Sequence, residues 1–449
     1  MKILIVAGTF PPYAPSSASR VNKLAKFLEQ QGHDLRVLAP KLPDQDMSLT
    51  PEISMDKIIF TDYTRINSFP NRVKKSIKDL FSSNENPIVE NHPQDIDPTI
   101  EDREDQGEES ALSYYYRSIT NIPDSMIGWY PAAIKAGRLL FSSWSPDVIF
   151  ATAPPYTGLV VASRLSRMIE TPWVADYRDL WNDESNDEYK TPRGRVNQFV
   201  EKRFLSNCDG LVTVTNSWVN NLENTYNIPV CLAMNGFDPD DFDSKNKNTL
   251  YPNHLTLLYA GEFYGDKRDP SKLFEALGKM GNKAKDIKVL FYTPDGFGEF
   301  NKKQKAIVEK YKLHDQIVAK KYIPQQDLLN IQLGVDVLLL LRWDDPRENG
   351  VIAGKLFEYI GAGKPILSVG STTGEAADII RDNGFGTVSN DVDNIIEYLE
   401  KCLVLKNKKK PLEYSSANRD TFARSIQFKE IEKMLINVSR RDDPKDYSS

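Results

Sequence analysis

The residues best suited to chemistry lie in residues 350–363, whose sequence is GVIAGKLFEYIGAG. A glycine turn after an apolar run predicts a helix that begins at about Gly354, and the free N–H groups at such a start favour a phosphate. Lys355 adds a mobile positive charge in the first turn. Glu358 lies close to the same face and can accept two hydrogen bonds from a diol such as a ribose. The pattern indicates a nucleotide site; the plainer alternative is a crossover helix with a surface Lys and Glu.

A second segment, residues 257–268 with the sequence LLYAGEFYGDKR, predicts a strand that runs into a glycine-rich loop. Gly261 and Gly265 would let the backbone approach a ligand closely. Arg268 could clamp a diphosphate through two parallel hydrogen bonds. The alternative interpretation is a solvated basic loop.

The loop after the first apolar run carries Pro12, Ser16 and Ser17 ahead of a helix that starts at about Arg20. Small residues at this place suit close approach to a ligand that is held by a second domain. We therefore expect the loop to take part in a site.

A turn with the sequence DYRD, residues 176–179, follows another predicted strand. Asp176 or Asp179 could orient an acceptor hydroxyl or take its proton. An Asp–Arg pair that only fixes the loop is the alternative.

Short apolar runs alternate with helical patterns along the chain, which predicts an α/β protein with parallel sheets. Glycine, proline and asparagine cluster at residues 235–239, and a charged linker follows. We place a domain boundary there, with an N-terminal domain over 1–240, a second domain over 241–425 and a C-terminal helix and tail over 426–449. Two doubly wound, Rossmann-like domains that face each other across a ligand-binding cleft are the simplest interpretation.

Composition narrows the classes of function. The chain has 449 residues, with 57 Lys and Arg against 63 Asp and Glu, and its net charge of −6 argues against a dedicated nucleic-acid binder. Three distant Cys and four dispersed His predict neither a disulfide framework nor a metal site. No run is apolar enough for an export signal or a spanning helix, so a cytoplasmic location is expected.

One acidic segment departs from the rest of the chain. Residues 82–110 carry ten acidic residues and one basic residue, which predicts a mobile surface insertion and leaves the remainder slightly positive. Residues 72–81, just before it, place basic and apolar side chains at roughly helical spacing. That segment is interpreted either as a solvated helix or as a surface that contacts anionic lipid at the inner face of the plasma membrane.

Taken together, the sequence resembles the family-4 glycosyltransferases with the two-Rossmann-domain (GT-B) architecture that occur in bacterial polysaccharide clusters. The resemblance extends over roughly residues 3 to 380. The residues that carry it are Phe10-Pro11-Pro12 with Arg20, Ala153-Pro154-Pro155, the segments 172–181 and 235–238, Gly261 with Arg268, the run 336–340, and residues 355–359 with Gly363-Lys364-Pro365.

The resemblance implies transfer of a hexosyl unit from a nucleotide-diphosphate sugar to a polysaccharide or lipid-linked oligosaccharide precursor. It implies retention at the anomeric carbon, and neither a cofactor nor a metal. The family's diphosphate-binding residues map to Arg268 and Lys355, its ribose-binding glutamate to Glu358, and its nucleobase-facing backbone to Ile323 and the proline after it.

One family feature is absent. Many members carry two glutamates separated by seven residues, yet Gly350 stands eight positions before Glu358, and Glu348 is two residues too early. Backbone N–H groups of Gly350 and Val351 could then serve the donor sugar. The N-terminal loop also has Ser16 and Ser17 in place of the usual glycine pair.

The sequence is also compatible with two other functions. A nucleotide-sugar 2-epimerase shares the architecture, although its paired carboxylates and His fit poorly with a chain that contains four His. A non-catalytic sugar-nucleotide-binding partner of a synthase is favoured only by Gly350.

Overall fold

The computed structural model describes residues 1–13, 18–42, 49–64, 121–182, 187–242, 249–265 and 267–440. Ser16, Ser17, the acidic segment 82–110 and the basic segment 72–81 therefore lie outside the described residues. Among the described helices, none has the length and apolar character needed to cross a bilayer.

Contacts divide the chain into two compact units. The first comprises Met1–Val214, Trp218–Ala233 and the chain from Phe428 onward, and the second comprises Thr215–Ser217 and Met234–Gln427. The second unit thus begins a few residues before position 240, and most of the C-terminal helix belongs to the first unit.

The first unit is built on a parallel sheet of seven strands in the order β3-β2-β1-β4-β5-β6-β7. Its strands are β1 Lys2–Ala7, β2 Asp34–Pro40, β3 Ile58–Thr61, β4 Val148–Ala153, β5 Trp173–Tyr177, β6 Gly210–Thr213 and β7 Val230–Leu232. The described helices of this unit are α1 Ser19–Gln30, α2 Tyr130–Phe141, α3 Thr157–Ile169, α4 Pro192–Leu205 and α5 Asn216–Thr225, which begins in the segment grouped with the second unit.

Alternation along β1 explains the two covered faces of this sheet. Ile3 and Ile5 pack with α1 and with the C-terminal helix α12, Arg424–Ser439, whereas Leu4 and Val6 pack on the opposite face with α2, α3 and α4. Successive strand residues point to opposite faces, so a strand buried on both sides reads as a continuous apolar run.

The second unit repeats the plan with six parallel strands in the order β10-β9-β8-β11-β12-β13. Its strands are β8 Leu255–Ala260, β9 Ile287–Thr293, β10 Ile317–Lys321, β11 Val337–Leu341, β12 Ile366–Val369 and β13 Gly386–Ser389. Its described helices are α6 Ser271–Met280, α7 Lys302–Tyr311, α8 Gln325–Gly334, α9 Gly354–Ala362, α10 Glu375–Asp382 and α11 Val392–Asn407.

All strands in both sheets are parallel, but the order in which the chain fills each sheet changes direction once, between β1 and β4 in the first sheet and between β8 and β11 in the second. This topological switch point is hereafter the strand reversal. Ligands of open parallel sheets bind beyond the carboxyl ends of the strands at such a reversal. The prediction of two doubly wound α/β domains is confirmed, and each sheet presents one place to look for a site.

Candidate functional site

The loop after β8 is held by one buried aromatic residue. Phe263 lies between two glycines with positive φ, Gly261 at +141° and Gly265 at +68°, and packs against the rings of Tyr259, Phe291 and Phe300. Its carbonyl accepts a hydrogen bond of 2.9 Å from the N–H of Arg268. The loop therefore folds around the buried Phe263 side chain, and this places Arg268 at the carboxyl edge of the sheet.

Lys355 reaches the same loop from the first turn of α9. Its Nζ donates a 2.9 Å hydrogen bond to the carbonyl of Ala260 and lies 4.4 Å from the centroid of the Tyr259 ring. A Cβ on Gly261 would stand 2.2 Å from that Nζ, so only glycine leaves room for the ammonium. Burial lowers the pKa of Lys355 to about 8, with the positive charge of Arg268 adding to the shift and Glu358 opposing it.

Arg268 forms an ion pair with Glu348, at 2.5 Å between Nη1 and Oε1. Glu348 is buried within a short 3-10 turn, Pro346–Gly350, whose N-terminus is capped by the side chain of Asp345. This turn brings Glu348 to the carboxyl edge of the second sheet, next to Arg268, although the spacing between Glu348 and Glu358 differs from the family pattern. The Arg268 guanidinium is thereby oriented from one side.

Arg342, the residue directly after β11, is a member of this cluster that the sequence reasoning missed. Its Nη1 donates hydrogen bonds to the carbonyls of Ser371 and Thr373 at 2.8 and 2.9 Å. Its Nη2 is buried and has no partner among the described residues. Burial lowers the pKa of Arg342, with Glu348 acting against that shift. A charged residue immediately after five apolar strand residues was the available signal.

Trp343 joins the loop after β8 to the loop after β11. The Nζ of Lys267 lies 4.7 Å, and the guanidinium carbon of Arg347 4.4 Å, from the centroid of the Trp343 ring. Such cation–π contacts stabilise a defined arrangement of the two loops.

Glu358 lies one turn further along α9. Its carboxylate accepts a hydrogen bond of 3.4 Å from the Nε2 of Gln332, a buried residue of α8 whose Oε1 has no partner among the described residues. Burial raises the pKa of Glu358, with the Gln332 hydrogen bond lowering it in part. A half-buried carboxylate with free lone pairs can accept hydrogen bonds from a vicinal diol.

Three further predicted residues lie at the same edge. Gly350 and Val351 connect the 3-10 turn to α9, and Ile323 follows β10 with its side chain partly buried. The residue before α9, Ala353, provides no side-chain cap, and the first N–H groups of this helix have no side-chain acceptor within the part of the chain that the structure describes. Arg268, Arg342 and Lys355 bring three cationic side chains to this edge, which suits an anionic ligand.

The equivalent edge of the first unit has a different chemistry. Asp176, near the end of β5, has 1% of its surface exposed. It accepts hydrogen bonds from Thr152 at 2.8 Å and from Arg20 at 3.4 Å, and Arg20 also donates to the carbonyl of Ala233 at 2.8 Å. Arg20 and Asp176 are thus placed in an internal ion pair of the fold.

Arg178 is likewise held internally, because its guanidinium donates to the carbonyls of Ala153 and Pro154. Asp179, by contrast, is exposed. Pro12 is partly buried beyond β1, at the strand reversal of this unit. Across the described ranges, no three or more His, Cys, Asp or Glu side chains are grouped to hold a metal ion.

Comparisons with known proteins agree with this architecture. Residues 98–231 match the family model described as a glycosyl transferase 4-like domain. No curated protein matches the chain.

Several solved structures share the fold over nearly the whole chain. A sucrose-phosphate synthase from Thermosynechococcus elongatus has 13% identity and a TM-score of 0.58, with 97% of this chain and 99% of that chain covered. A glycosyltransferase from Rickettsia africae has 13% identity and a TM-score of 0.57, with 98% of each chain covered. The Anabaena protein HepE, solved in complex with UDP, has 12% identity and a TM-score of 0.57, with 97% and 100% covered.

Likenesses at this level of identity establish the fold, and the family model supplies the sequence relation for the first unit. Together they agree with the resemblance: residues 98–231 are similar to a glycosyl transferase 4-like domain, and the chain has the fold of these structures, with two Rossmann-like units of the GT-B type.

Proposed function

We propose that the protein is a retaining glycosyltransferase that moves a hexosyl unit from a nucleotide-diphosphate sugar to a polysaccharide or lipid-linked oligosaccharide precursor. The observation that carries the proposal is the convergence of three cationic side chains at the strand reversal of the second unit. Arg268, Arg342 and Lys355 lie there beside the uncapped start of α9.

The departing nucleoside diphosphate gains negative charge in the transition state, and cations already in place stabilise that charge most effectively. Arg268 is oriented by Glu348 and Lys355 by Ala260, so neither must reorganise during the reaction. In the proposed reaction these side chains and the helix N–H groups balance the diphosphate charge without a metal or cofactor. Glu358 holds the ribose, and the backbone near Ile323 faces the base.

The remaining assignments concern the sugar and the acceptor. We assign Glu348 and the backbone of Gly350 and Val351 to the donor sugar, because the turn that contains Glu348 and Gly350 leads directly into α9. The N–H of Val351 donates to the carbonyl of Glu348 at 3.0 Å, so Gly350 is the candidate N–H donor of this pair. At retention, the acceptor proton passes to an oxygen of the departing phosphate. Asp179 orients the acceptor hydroxyl, whereas Asp176 fixes the loop through Arg20.

HepE was solved with UDP and with UDP-glucose, so uridine diphosphate sugars are the first donors to test. The purified chain is incubated with a panel of nucleotide sugars and a mixture of lipid-linked and oligosaccharide acceptors, with and without EDTA. We expect free nucleoside diphosphate, a product with the donor's anomeric configuration by NMR, and no loss with EDTA. An inverted product or abolition by EDTA would overturn the corresponding part of the proposal.

The same assay tests the two alternatives. A protein proposed to be a UDP-N-acetylglucosamine 2-epimerase from Listeria monocytogenes shares the fold, with a TM-score of 0.52. Epimerised nucleotide sugar without transfer would assign epimerisation. Binding without any turnover would assign a regulatory partner of a synthase.

A further inference from the structure

The outer surface of helices α2, α3 and α4 has an unusual charge composition. The three helices contain eight Lys or Arg residues, and their only acidic residue, Glu201, is buried. Seven of the eight are exposed: Lys135, Arg138, Arg164, Arg167, Arg195, Lys202 and Arg203. This concentration of positive charge occurs in a chain whose net charge is −6.

The three helices form one continuous layer. Leu165 of α3 packs so closely on α2 that a Cβ on Gly137 would meet it at 2.5 Å. Ser163 of α3 donates a 3.0 Å hydrogen bond to the carbonyl of Phe204 in α4. The helices also cover the same face of the first sheet, so their exposed residues form a single surface, hereafter the basic face.

Large apolar side chains project from the basic face among these cations. Phe199 of α4 has 71% of its surface exposed, Leu139 of α2 has 75%, and Val196 of α4 has 45%. Phe199 stands one turn from both Arg195 and Arg203 on the same helix face. Exposed aromatic and aliphatic side chains surrounded by cations are costly in water but favourable at a lipid interface.

The Lys and Arg side chains of the basic face lie close together, and α2, α3 and α4 carry no exposed acidic residue that could pair with them. Arg167 reaches from α3 to the carbonyl of Arg203 and the hydroxyl of Ser206, at 3.2 and 3.0 Å. Burial lowers the pKa of Arg167, and the positive charges of Arg203 and Arg164 lower it further. Glu170, at the C-terminal end of α3, is the nearest exposed acid along these helices. An anionic surface would relieve this repulsion.

We propose that the basic face docks the protein on an anionic lipid bilayer, with Phe199, Val196 and Leu139 entering the interfacial region and the surrounding Lys and Arg contacting headgroup phosphates. The exposed apolar side chains favour a bilayer over a nucleic acid. Both present phosphates, but only the bilayer has a hydrocarbon interior into which these side chains can insert. This docking is independent of the proposed glycosyl transfer, so either can fail without the other.

The test is co-sedimentation of the full chain with two kinds of vesicle, pure phosphatidylcholine and one part phosphatidylglycerol to two parts phosphatidylcholine. We expect binding to the anionic vesicles that weakens as salt is raised, because the attraction is screened. Changing Arg164, Arg195 and Arg203 to Glu should lower the vesicle affinity by about 100-fold, at about 1 kcal/mol for each cation removed. Phe199→Ser should weaken binding while leaving its salt dependence in place.

The matched control makes the same charge change elsewhere. Lys285, Lys302 and Lys310 are exposed residues of the second unit, and changing them to Glu should leave vesicle binding within about threefold of the wild type. Circular dichroism verifies that each variant is folded. Equal binding to neutral and anionic vesicles, no binding, or equal losses in the two triple variants would overturn the proposal. A concentration-dependent dimer that Phe199→Ser abolishes would assign the face to a second copy instead.

Discussion

The two strand reversals of this molecule share a topology and differ in what their charged side chains do. In the first unit, Arg20 and Asp176 neutralise each other inside the fold, and Arg178 is bound to backbone carbonyls. In the second unit, Arg342 keeps one buried donor without a partner among the described residues, and the ammonium of Lys355 is held against a loop. The same fold thus uses charged side chains to stabilise a loop in the first unit and places three cationic side chains at one edge of the sheet in the second.

This difference separates two physical roles. Internal charge pairs raise the cost of disturbing the fold, whereas preorganised surplus charge binds an anion and stabilises it during a reaction. We therefore expect changes in the first unit to alter stability and changes in the second to alter affinity for a nucleoside diphosphate.

The largest expected effect is on stability. Asp176→Ala leaves the buried Arg20 guanidinium without its carboxylate and should lower the free energy of unfolding by about 3–5 kcal/mol. Urea unfolding measures it. The exposed Asp62→Ala in the same unit is the control and should change stability by no more than about 0.5 kcal/mol. An Asp176→Ala variant as stable as the wild type would contradict the internal role of this pair.

The next effect concerns the glycine that makes room for Lys355. Gly261→Ala places a Cβ against the Lys355 ammonium at a φ of +141°, and should weaken UDP binding by about 100-fold, since charge-assisted hydrogen bonds contribute about 1.5–3 kcal/mol each. Calorimetry with UDP measures the loss. The control is Gly363→Asn at the C-terminal end of α9, where an added Cβ meets no described atom within 4 Å and Asn tolerates the φ of +65°, so its affinity should stay near the wild-type value. Equal losses in both variants would refute the assignment.

A smaller effect follows from the pKa of Lys355, which burial lowers to about 8. The protonated ammonium attracts the diphosphate, so affinity is full below that value and is lost as the pH rises through it. We expect about a tenfold decrease in UDP affinity between about pH 7 and about pH 9, and proton uptake on binding near about pH 8. Calorimetry in buffers of different ionisation enthalpy measures the uptake. Lys355→Arg stays protonated and should abolish it; uptake that persists in this variant belongs to another group.

The smallest effect concerns the ribose. If Glu358 accepts hydrogen bonds from the diol, the wild type should bind UDP about fivefold to tenfold more tightly than its 2′,3′-dideoxy form, as expected for one or two hydrogen bonds. Glu358→Ala should bind both nucleotides equally. A preference that survives in the variant would move ribose recognition to another residue.

The interior of each sheet could be predicted from the sequence, whereas the outer strands could not. β1, β4, β8 and β11 are continuous apolar runs because they are covered on both faces. The outermost strands β3, β7, β10 and β13 are mostly only partly buried and contain at most three consecutive apolar residues each, so their apolar signal is short.

For the candidate site, local patterns could likewise be predicted from the sequence, whereas contacts between distant residues could not. Gly261, Arg268 and Lys355 were predicted because glycine turns and helix starts are local patterns, and the structure brings them together. The pairing of Arg20 with Asp176, residues 156 positions apart, and that of Arg268 with Glu348 depend on tertiary contacts that spacing does not encode. Glu348 stands two residues before the position of the family's first glutamate, and the turn at Pro346–Gly350 holds it against Arg268.

Hydrogen–deuterium exchange with and without UDP tests whether the strand reversal of the second unit, and not that of the first, binds the nucleotide. The method reports on both strand reversals in one experiment. We expect UDP to slow exchange in residues 261–268 and 342–358 and to leave residues 176–180 unchanged. Protection at the first unit's loops without protection at the second unit's would contradict this expectation, as would no protection at saturating UDP and at each of the other nucleoside diphosphates.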